Sequence, residues 1–169
     1  MIQLARTCDV RGASYGGRVH VSFVCTGNIC RSPMAAQVLR THLDRAGVSG
    51  VVVTSAGTGG WHAGEPADHR VVELLRDKGY GTDHVARQID SEDLSADLVV
   101  ALDRGHLSLL RRQVPEPDRV RLLRSFDPEA PNDAEVPDPF YGPPEGFEEV
   151  LWLIESATPG LVEWLRARV

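Results

Sequence analysis

The sequence predicts a three-layer α/β/α fold in which helices cover both faces of a four-stranded parallel sheet. Two observations predict this class. Short runs rich in β-branched residues alternate with segments whose apolar residues recur at helical spacing, and such alternation is typical of parallel sheets. A length of 169 residues is also close to that of one domain. We therefore expect a single domain over residues 19–169.

The first two strands and helices follow this alternation. Residues 19–25 read VHVSFVC and predict a strand, and residues 32–47 carry the apolar positions of a helix. A second strand is predicted over residues 51–55. Asp68 is a suitable N-cap for the second helix, and Gly79 is a suitable end for it.

The second half of the chain continues in the same way. Residues 97–102 predict a buried strand, and Asp103 is a suitable N-cap for the helix that follows. Residues 119–123 predict the fourth strand, and residues 147–168 predict a last helix that is interrupted or kinked near Pro159. In such sheets the functional site lies beyond the carboxyl ends of the strands.

Two segments lack either pattern. Residues 1–18 contain three glycines and three arginines without periodic apolar positions, and they predict a flexible N-terminal extension. Residues 124–147 contain six of the eleven prolines and six acidic residues, and they predict a long loop. Long loops in compact domains are commonly functional or disordered.

Composition and charge exclude several classes of protein. With 18 basic and 24 acidic residues the net charge is −6, which argues against nucleic acid as a partner. Apolar runs are too short for a membrane helix, and the first residues lack the apolar core of a signal peptide. We expect a cytoplasmic monomer, although export by another route stays open. The three cysteines form neither a zinc motif nor a paired framework.

A cysteine and an arginine bracket the turn after the first strand, in the sequence CTGNICRSP. Gly27 and Asn28 can adopt left-handed conformations, and Pro33 suits a first helical turn. Such a loop can direct successive N–H groups at an anion of the size of phosphate. Arg31 adds a bidentate fork for two phosphoryl oxygens.

The same positive field favours the thiolate form of Cys25, which is the nucleophilic form of cysteine. Ser32 is placed to donate a hydrogen bond to that thiolate. The spacing of Cys25 and Arg31 is weak evidence by itself, because it arises easily by chance. The strand before the turn and the helix after it make the prediction more specific.

Several motifs together resemble the low-molecular-weight protein tyrosine phosphatases. They are VCTGNICRSP, TSAGT at residues 54–58 and DPFYG at residues 138–142, and GGWHAGEPAD and FEEV..WLIESATPGL are especially similar to actinobacterial members. The resemblance covers about residues 19–168. It implies a Rossmann-like fold and hydrolysis of phosphotyrosine in a protein through a phosphocysteine intermediate, without metal or other cofactor.

The resemblance also implies three catalytic roles: Cys25 as the nucleophile, Arg31 as the phosphate ligand and Asp138 as the general acid. The reaction itself also calls for a general acid, since a phenolate leaving group has a conjugate-acid pKa of about 10 and leaves more easily when it is protonated. Pro137 and Pro139 flank Asp138 within the long loop. Its competitors in that loop are Asp127, Asp133 and Glu135.

Further residues are predicted to bind or support the substrate. Trp61, Phe140 and Tyr141 are expected to form walls for a flat aromatic ring, and Phe140 stands where the family more commonly has Tyr. The loop residues expected to contact the phosphoryl group or line its site are Thr26, Gly27, Asn28, Ile29, Cys30 and Ser32.

The resemblance implies supporting roles as well. Asn28, Ser55 and His84 match positions that hold the loop through side-chain hydrogen bonds, and Cys30 matches a partner for a reversible disulfide with Cys25. The other histidines show no metal-ligand spacing, and we interpret them as structural or exposed. They are His20, His42, His62, His69 and His106.

Three alternatives stay open. A thioredoxin-coupled arsenate reductase needs relay cysteines, and none follows Cys30. Protein arginine phosphatases have a similar loop but carry Thr at the position of Ile29. The branched apolar side chain of Ile29 would crowd a guanidinium substrate. A catalytically silent phosphotyrosine-binding module usually lacks the nucleophile, the arginine or the acid, and this sequence keeps all three.

Overall fold

A computed structural model describes residues 16–169, so most of the predicted extension lies outside the described residues. Four strands form one parallel sheet in the order β2-β1-β3-β4. They are β1 (Val19–Cys25), β2 (Val51–Gly57), β3 (Leu98–Ala101) and β4 (Val120–Leu122). The predicted sheet and its four strands are therefore confirmed.

Five helices accompany the sheet within the described residues. They are α1 (Arg31–Arg45), α2 (His69–Asp77), α3 (Ser91–Leu94), α4 (Arg104–Arg111) and α5 (Glu145–Arg166). The sequence analysis did not predict α3, whose one turn is held by a capping box between Asp90 and Asp93. Helix α5 continues through Pro159 instead of being interrupted there, because packing along its length outweighs one missing hydrogen bond.

The helices lie on both faces of the sheet, as predicted. Strand β1 is central and buried along its whole length. Its Phe23 belongs to the larger core cluster, which includes residues of α1, α2 and α5. Its Val24 belongs to a smaller cluster on the other face with Leu110 of α4. Strand β1 therefore presents its carboxyl end in the middle of the molecule.

Two helices begin next to that end of the sheet. Asp68 accepts a hydrogen bond from the Arg70 backbone N–H (2.9 Å), and Asp103 accepts one from the His106 backbone N–H (2.9 Å). Both predicted N-caps are confirmed. Strand pairing also places Cys25 beside Gly57 at the ends of β1 and β2.

The long segment between β4 and α5 has little regular structure, as predicted. Its regular part is a 3-10 turn over Leu123–Phe126, and α5 begins at Glu145, two residues before the predicted start at residue 147. The Val136 N–H donates to the Leu102 carbonyl at 2.8 Å, so the segment is tied to the residue that follows β3. Among residues 16–169, no helix is both long and apolar enough to cross a membrane.

Candidate active site

The loop over residues 25–31, hereafter the anion loop, joins β1 to α1 in a tight curve. Asn28 takes up a left-handed conformation with φ of 57°, as predicted. Three loop carbonyls face outward and accept backbone N–H groups: Cys25 from Thr58 (2.8 Å), Thr26 from Gly59 (3.0 Å) and Ile29 from Asp68 (2.9 Å). Because C=O and N–H point to opposite sides of a trans peptide, the N–H groups of these peptides turn toward the centre of the curve.

The side chain of Asn28 holds the loop from beneath. Its Nδ2 donates to Ser32 Oγ (2.8 Å) and Ser55 Oγ (3.0 Å), while its Oδ1 accepts the Arg87 backbone N–H (3.0 Å). His84 Nε2 lies 2.7 Å from the Asn28 carbonyl oxygen, and burial lowers the pKa of this histidine. The neutral ring therefore donates its Nε2 proton to that carbonyl. The predicted supporting contacts of Ser55 and His84 are present.

Cys25 is 3% exposed at the start of the anion loop. Its Sγ lies 2.9 Å from Ser32 Oγ. Since Asn28 Nδ2 already donates to that oxygen, the Ser32 hydroxyl proton is free to point at the sulfur. The nearest competing acceptor, the Ala56 carbonyl, lies at 3.5 Å. This geometry lets Ser32 donate a hydrogen bond to the Cys25 sulfur.

The second cysteine of the loop has a different environment. Burial, together with the nearby Asp68 carboxylate and Cys25, raises the pKa of Cys30 to about 12. Cys30 therefore stays a thiol at neutral pH and is unsuited to be the nucleophile. Both cysteines are free thiols here. A disulfide between them remains a prediction.

Arg31 is buried and anchored by one of its terminal nitrogens. Its Nη1 donates to Asp103 Oδ2 (2.9 Å) and to the Val136 carbonyl (3.0 Å). Its Nη2 lies 3.5 Å from Thr26 Oγ1 and 3.6 Å from Asp138 Oδ2, and the residue lines the pocket. The guanidinium is therefore held in place while Nη2 faces the substrate side.

Sequence reasoning missed Asp103 as a site residue, although it predicted the N-cap. Burial by itself would raise the pKa of Asp103, but hydrogen bonds from the His106 N–H and from Arg31 outweigh this, and the pKa is lowered. The carboxylate is therefore charged at neutral pH, opposite Arg31. The position of this N-cap directly after a parallel strand could have indicated a site residue, because functional sites lie at the carboxyl ends of such strands.

His106 is a second residue that the sequence analysis missed. It is buried, and its Nε2 lies 2.9 Å from Thr26 Oγ1. Its Nδ1 lies 3.2 Å from Asp103 Oδ1 without an aligned hydrogen bond. Burial lowers the pKa of His106, so the ring is neutral. A proton on Nδ1, facing the carboxylate, leaves Nε2 to accept the Thr26 hydroxyl proton.

The loop over residues 137–142, hereafter the acid loop, brings Asp138 to the rim of the pocket. The Asp138 side chain is 49% exposed, and its Oδ1 accepts the Phe140 backbone N–H at 3.1 Å. The competing carboxylates lie elsewhere. Glu135 pairs with Arg104 at 2.8 Å on the surface, and Asp127 and Asp133 line a separate cleft.

These groups surround a pocket of about 350 Å³, which suits a small ligand. Trp61 and Tyr141 stand at its mouth with 74% and 93% exposure, and Phe140 lines it beside them. The other predicted residues that line it are Cys25, Thr26, Gly27, Ile29, Cys30, Arg31 and Asp138. Asn28 and Ser32 are buried outside this lining and support the loop instead.

His62 also lines the pocket and was not predicted to do so. A Cβ atom on Gly27 would come within 3.0 Å of the His62 ring, so the two residues are in close contact. Its Nδ1 lies 2.8 Å from Glu65 Oε2. The sequence carried a weak signal in the neighbouring Trp61, which was already predicted to form a wall.

The arrangement can bind an anion, attack it and protonate a leaving group. Loop N–H groups and Arg31 Nη2 could face a bound dianion, the Cys25 sulfur lies in the same pocket, and the half-exposed carboxyl group of Asp138 stands at the rim. A nucleophile paired with a positioned acid is the minimum for covalent catalysis at a phosphorus or carbonyl centre.

Comparison with known proteins agrees with this geometry. Residues 20–169 match the model of a family described as low molecular weight phosphotyrosine protein phosphatase. The low molecular weight protein-tyrosine phosphatase A of Mycobacterium tuberculosis is 54% identical over 153 residues, covering 89% of this chain and 94% of the relative. A low molecular weight protein-tyrosine-phosphatase of Streptomyces coelicolor is 54% identical over 155 residues, covering 88% and 94%.

Solved structures show the same fold. A protein tyrosine phosphatase from Entamoeba histolytica superposes with a TM-score of 0.83 at 31% identity, covering 88% of this chain and 97% of that one. An arginine phosphatase from Geobacillus stearothermophilus superposes with a TM-score of 0.76 at 32% identity, covering 88% and 94%.

The cysteine-and-arginine anion loop at the end of the first parallel strand thus defines a class of phosphatases built on a Rossmann-like sheet. Within that class, the chain belongs to the low-molecular-weight phosphotyrosine protein phosphatase family. The predicted similarity to actinobacterial members is confirmed by the mycobacterial and Streptomyces relatives.

Proposed function

We propose that this protein hydrolyses phosphotyrosine in a protein substrate through a phosphocysteine intermediate. One observation carries the proposal. A buried Cys25, hydrogen-bonded to Ser32, shares a single pocket with an anchored Arg31 and a half-exposed Asp138. The names of the mycobacterial and Streptomyces relatives agree with this activity.

In the first step the Cys25 thiolate attacks phosphorus in line with the tyrosyl oxygen. The S–P bond forms as the P–O bond to the phenol breaks, and the carboxyl proton of Asp138 passes to the departing oxygen. Arg31 and the loop N–H groups bind the equatorial oxygens, on which charge is spread in the transition state. The products of this step are phosphocysteine, a neutral tyrosine and the Asp138 carboxylate.

In the second step the Asp138 carboxylate accepts a proton from an attacking water. The O–P bond forms as the S–P bond breaks, and inorganic phosphate leaves. The Ser32 hydroxyl, 2.9 Å from the sulfur, stabilises the departing thiolate. This returns Cys25 to a thiolate and Asp138 to its acid form. Neither step, as written, needs a metal or cofactor.

The aromatic walls support tyrosine as the bearer of the phosphoryl group. Trp61 and Tyr141 stand at the pocket mouth, so a flat ring can lie between them while its phosphate reaches the anion loop. A phosphoserine side chain is too short to place its backbone outside such walls.

Phosphoarginine is the nearest competing substrate, since solved arginine phosphatases share the fold. Ile29 lines the pocket and is buried. An apolar branched side chain there leaves the N–H groups of a guanidinium without a partner, which costs binding energy. This position favours tyrosine over arginine.

The test is phosphate release from three peptides that bear phosphotyrosine, phosphoserine or phosphoarginine, without added metal. We expect turnover of the phosphotyrosine peptide by the wild type and none by Cys25→Ser. Turnover of phosphoarginine at a comparable rate would contradict the choice of substrate. Stoichiometric phosphopeptide binding without phosphate release would indicate a silent binding module instead.

The remaining predictions concern the setting in which the protein acts. We propose a cytoplasmic monomer that acts on phosphoproteins and does not bind nucleic acid. The net charge of −6 supports the last point.

A further inference from the structure

We propose that Arg70 is a positioning residue that holds the acid loop against the anion loop and so sets how well Asp138 protonates the leaving group. This inference rests on the proposed role of Asp138 as the general acid. Arg70 lies in the first turn of α2 and does not line the pocket, so it would act through other residues.

Asp68 connects Arg70 to the anion loop. Arg70 Nε and Nη2 donate to the two oxygens of Asp68 at 3.0 and 2.9 Å. The Asp68 side chain is 7% exposed, and the Asp68 N–H donates to the Ile29 carbonyl at 2.9 Å. The guanidinium is therefore held in one orientation by the carboxylate of Asp68, whose backbone N–H is hydrogen-bonded to the anion loop.

Arg70 also contacts the acid loop, through aromatic rings. The Arg70 guanidinium carbon lies 5.5 Å from the centre of the Phe140 ring and 4.4 Å from that of Phe147. Phe147 is buried in the first turn of α5. Since the acid loop ends just before α5, Arg70 contacts aromatic rings within the loop and directly after it.

Phe140 passes this restraint on to Asp138. Its backbone N–H donates to Asp138 Oδ1 at 3.1 Å, and its ring packs against the core cluster. A displaced Phe140 would therefore carry the carboxyl group of Asp138 away from the leaving oxygen. Misplacing a reacting group by about 1 Å can cost as much as about 100-fold in rate.

The chemistry of these contacts favours arginine at position 70. The side-chain hydrogen bond from Arg70 is the main cause that lowers the pKa of Asp68, so the ion pair persists at neutral pH. A guanidinium can bond a carboxylate along its edge while its flat face covers aromatic rings. A lysine ammonium cannot do both in a fixed plane.

A purely structural role predicts a different outcome. If Arg70 served only to pack against Phe147, its loss would lower stability and would lower the rate equally for every substrate. If it positions the acid, its loss matters most where the leaving group needs a proton. Leaving-group dependence separates the two roles.

The experiment measures kcat/KM for aryl phosphates whose leaving groups range from activated phenols to a phenol like tyrosine. Because kcat/KM reports the first chemical step, slow hydrolysis of phosphocysteine does not mask the effect. The variants are Arg70→Met, which keeps the length of the side chain, Arg70→Lys, and Asp138→Ala as the reference for a missing acid. Arg76→Met, an exposed arginine at the other end of α2, is the matched control.

We expect Asp138→Ala to lose about 100-fold or more with the poorest leaving group and far less with the best. Arg70→Met should show an intermediate slope, with about a tenfold loss for the tyrosine-like phenol and less than about threefold for the activated ones. Arg70→Lys should fall between Arg70→Met and the wild type. Arg76→Met should match the wild type.

A uniform loss in Arg70→Met, or no loss, would overturn the inference while Asp138→Ala still shows its steep slope. A wild-type slope in Asp138→Ala would instead reject Asp138 as the acid, so the two failures are distinguishable. The double variant Arg70→Met/Phe140→Leu adds a second check. Arg70→Met should cost less in the Phe140→Leu background, and fully additive losses would overturn the inference.

Discussion

At the scale of single residues, Thr26 is the point at which the anion loop meets a buried histidine. Its hydroxyl lies 2.9 Å from His106 Nε2 and 3.5 Å from Arg31 Nη2. His106 in turn lies beside Asp103, which holds Arg31 from the other side. The four residues form a closed ring of contacts that includes the guanidinium proposed to bind phosphate.

Removing the Thr26 hydroxyl should leave the buried Nε2 of His106 without a partner. We expect Thr26→Val to lose about 1–3 kcal/mol of unfolding free energy and to raise the inhibition constant of inorganic phosphate. Thr26→Ser keeps the hydroxyl and should resemble the wild type in both respects. Urea unfolding and competitive inhibition by phosphate measure the two effects, and equal behaviour of the Val and Ser variants would contradict the role of the hydrogen bond.

Ile29 separates two substrate classes at the same scale. Replacing this pocket-lining side chain by Thr introduces a hydroxyl that can pair with a guanidinium N–H. We expect Ile29→Thr to raise the ratio of phosphoarginine to phosphotyrosine turnover by about tenfold. Parallel assays with the two peptides give the ratio, and Ile29→Val, which stays apolar, is the control. A ratio unchanged by the hydroxyl would show that Ile29 does not select the substrate.

At the scale of elements, the site depends on where helices begin. Asp68 caps α2 and also binds Arg70, and Asp103 caps α4 and also binds Arg31 of the anion loop. An N-cap lies at the end of a helix nearest the carboxyl end of the preceding strand. One hydrogen-bonding group can therefore serve the helix and the site together.

Helix α5 packs closely against the 3-10 turn Leu123–Phe126 at a glycine. A Cβ atom at Gly160 would lie 2.0 Å from the Phe126 carbonyl oxygen, so the helix or the turn would have to move. We expect Gly160→Ala to lose about 1–3 kcal/mol of unfolding free energy. Gly146→Ala in the same helix is the control, because its Cβ would meet Pro139 at an ordinary 3.8 Å. Denaturant unfolding measures both, and a stable Gly160→Ala would contradict the close packing.

At the scale of the whole molecule, buried histidines couple folding to pH. Burial lowers the pKa of His20, His84 and His106 below the ordinary value of 6.5. Below about pH 6.5 the unfolded chain therefore binds more protons than the folded protein. Stability should be full above that pH and should fall as the pH drops toward the lowered values. The carboxylates with lowered pKa, such as Asp93, add a loss only at still lower pH.

The urea midpoint should accordingly be lower at pH 5.5 than at pH 7.5. His84→Gln should weaken this dependence, because it removes one of the titrating rings while keeping a side-chain donor for the Asn28 carbonyl. His69→Gln replaces an exposed histidine and should keep the full dependence. A midpoint that stays constant or rises on acidification would contradict the assignment.

Much of the architecture could be predicted because its signals are local. β-branched runs, the N-caps Asp68 and Asp103 and the turn after Cys25 each involve neighbouring residues only. The one-turn helix Ser91–Leu94 was missed because four residues show no periodicity. His106 was missed as a site residue because no local pattern distinguishes a polar residue beside a pocket from one in solvent. Asp103 and His62 had only indirect signals, an N-cap directly after a strand and a neighbouring tryptophan.

The sequence by itself determined the order of strand, turn and helix that presents Cys25 and Arg31, because residue propensities and steric preferences within about twenty residues define that order. Tertiary structure alone decided what surrounds it. The strand order brings Asp103 and His106 to the anion loop across more than seventy residues, and the tie from Val136 to the Leu102 carbonyl brings Asp138 to the pocket. Such contacts depend on which strand ends meet at one edge of the sheet, and that is a property of the packed sheet and not of any local segment.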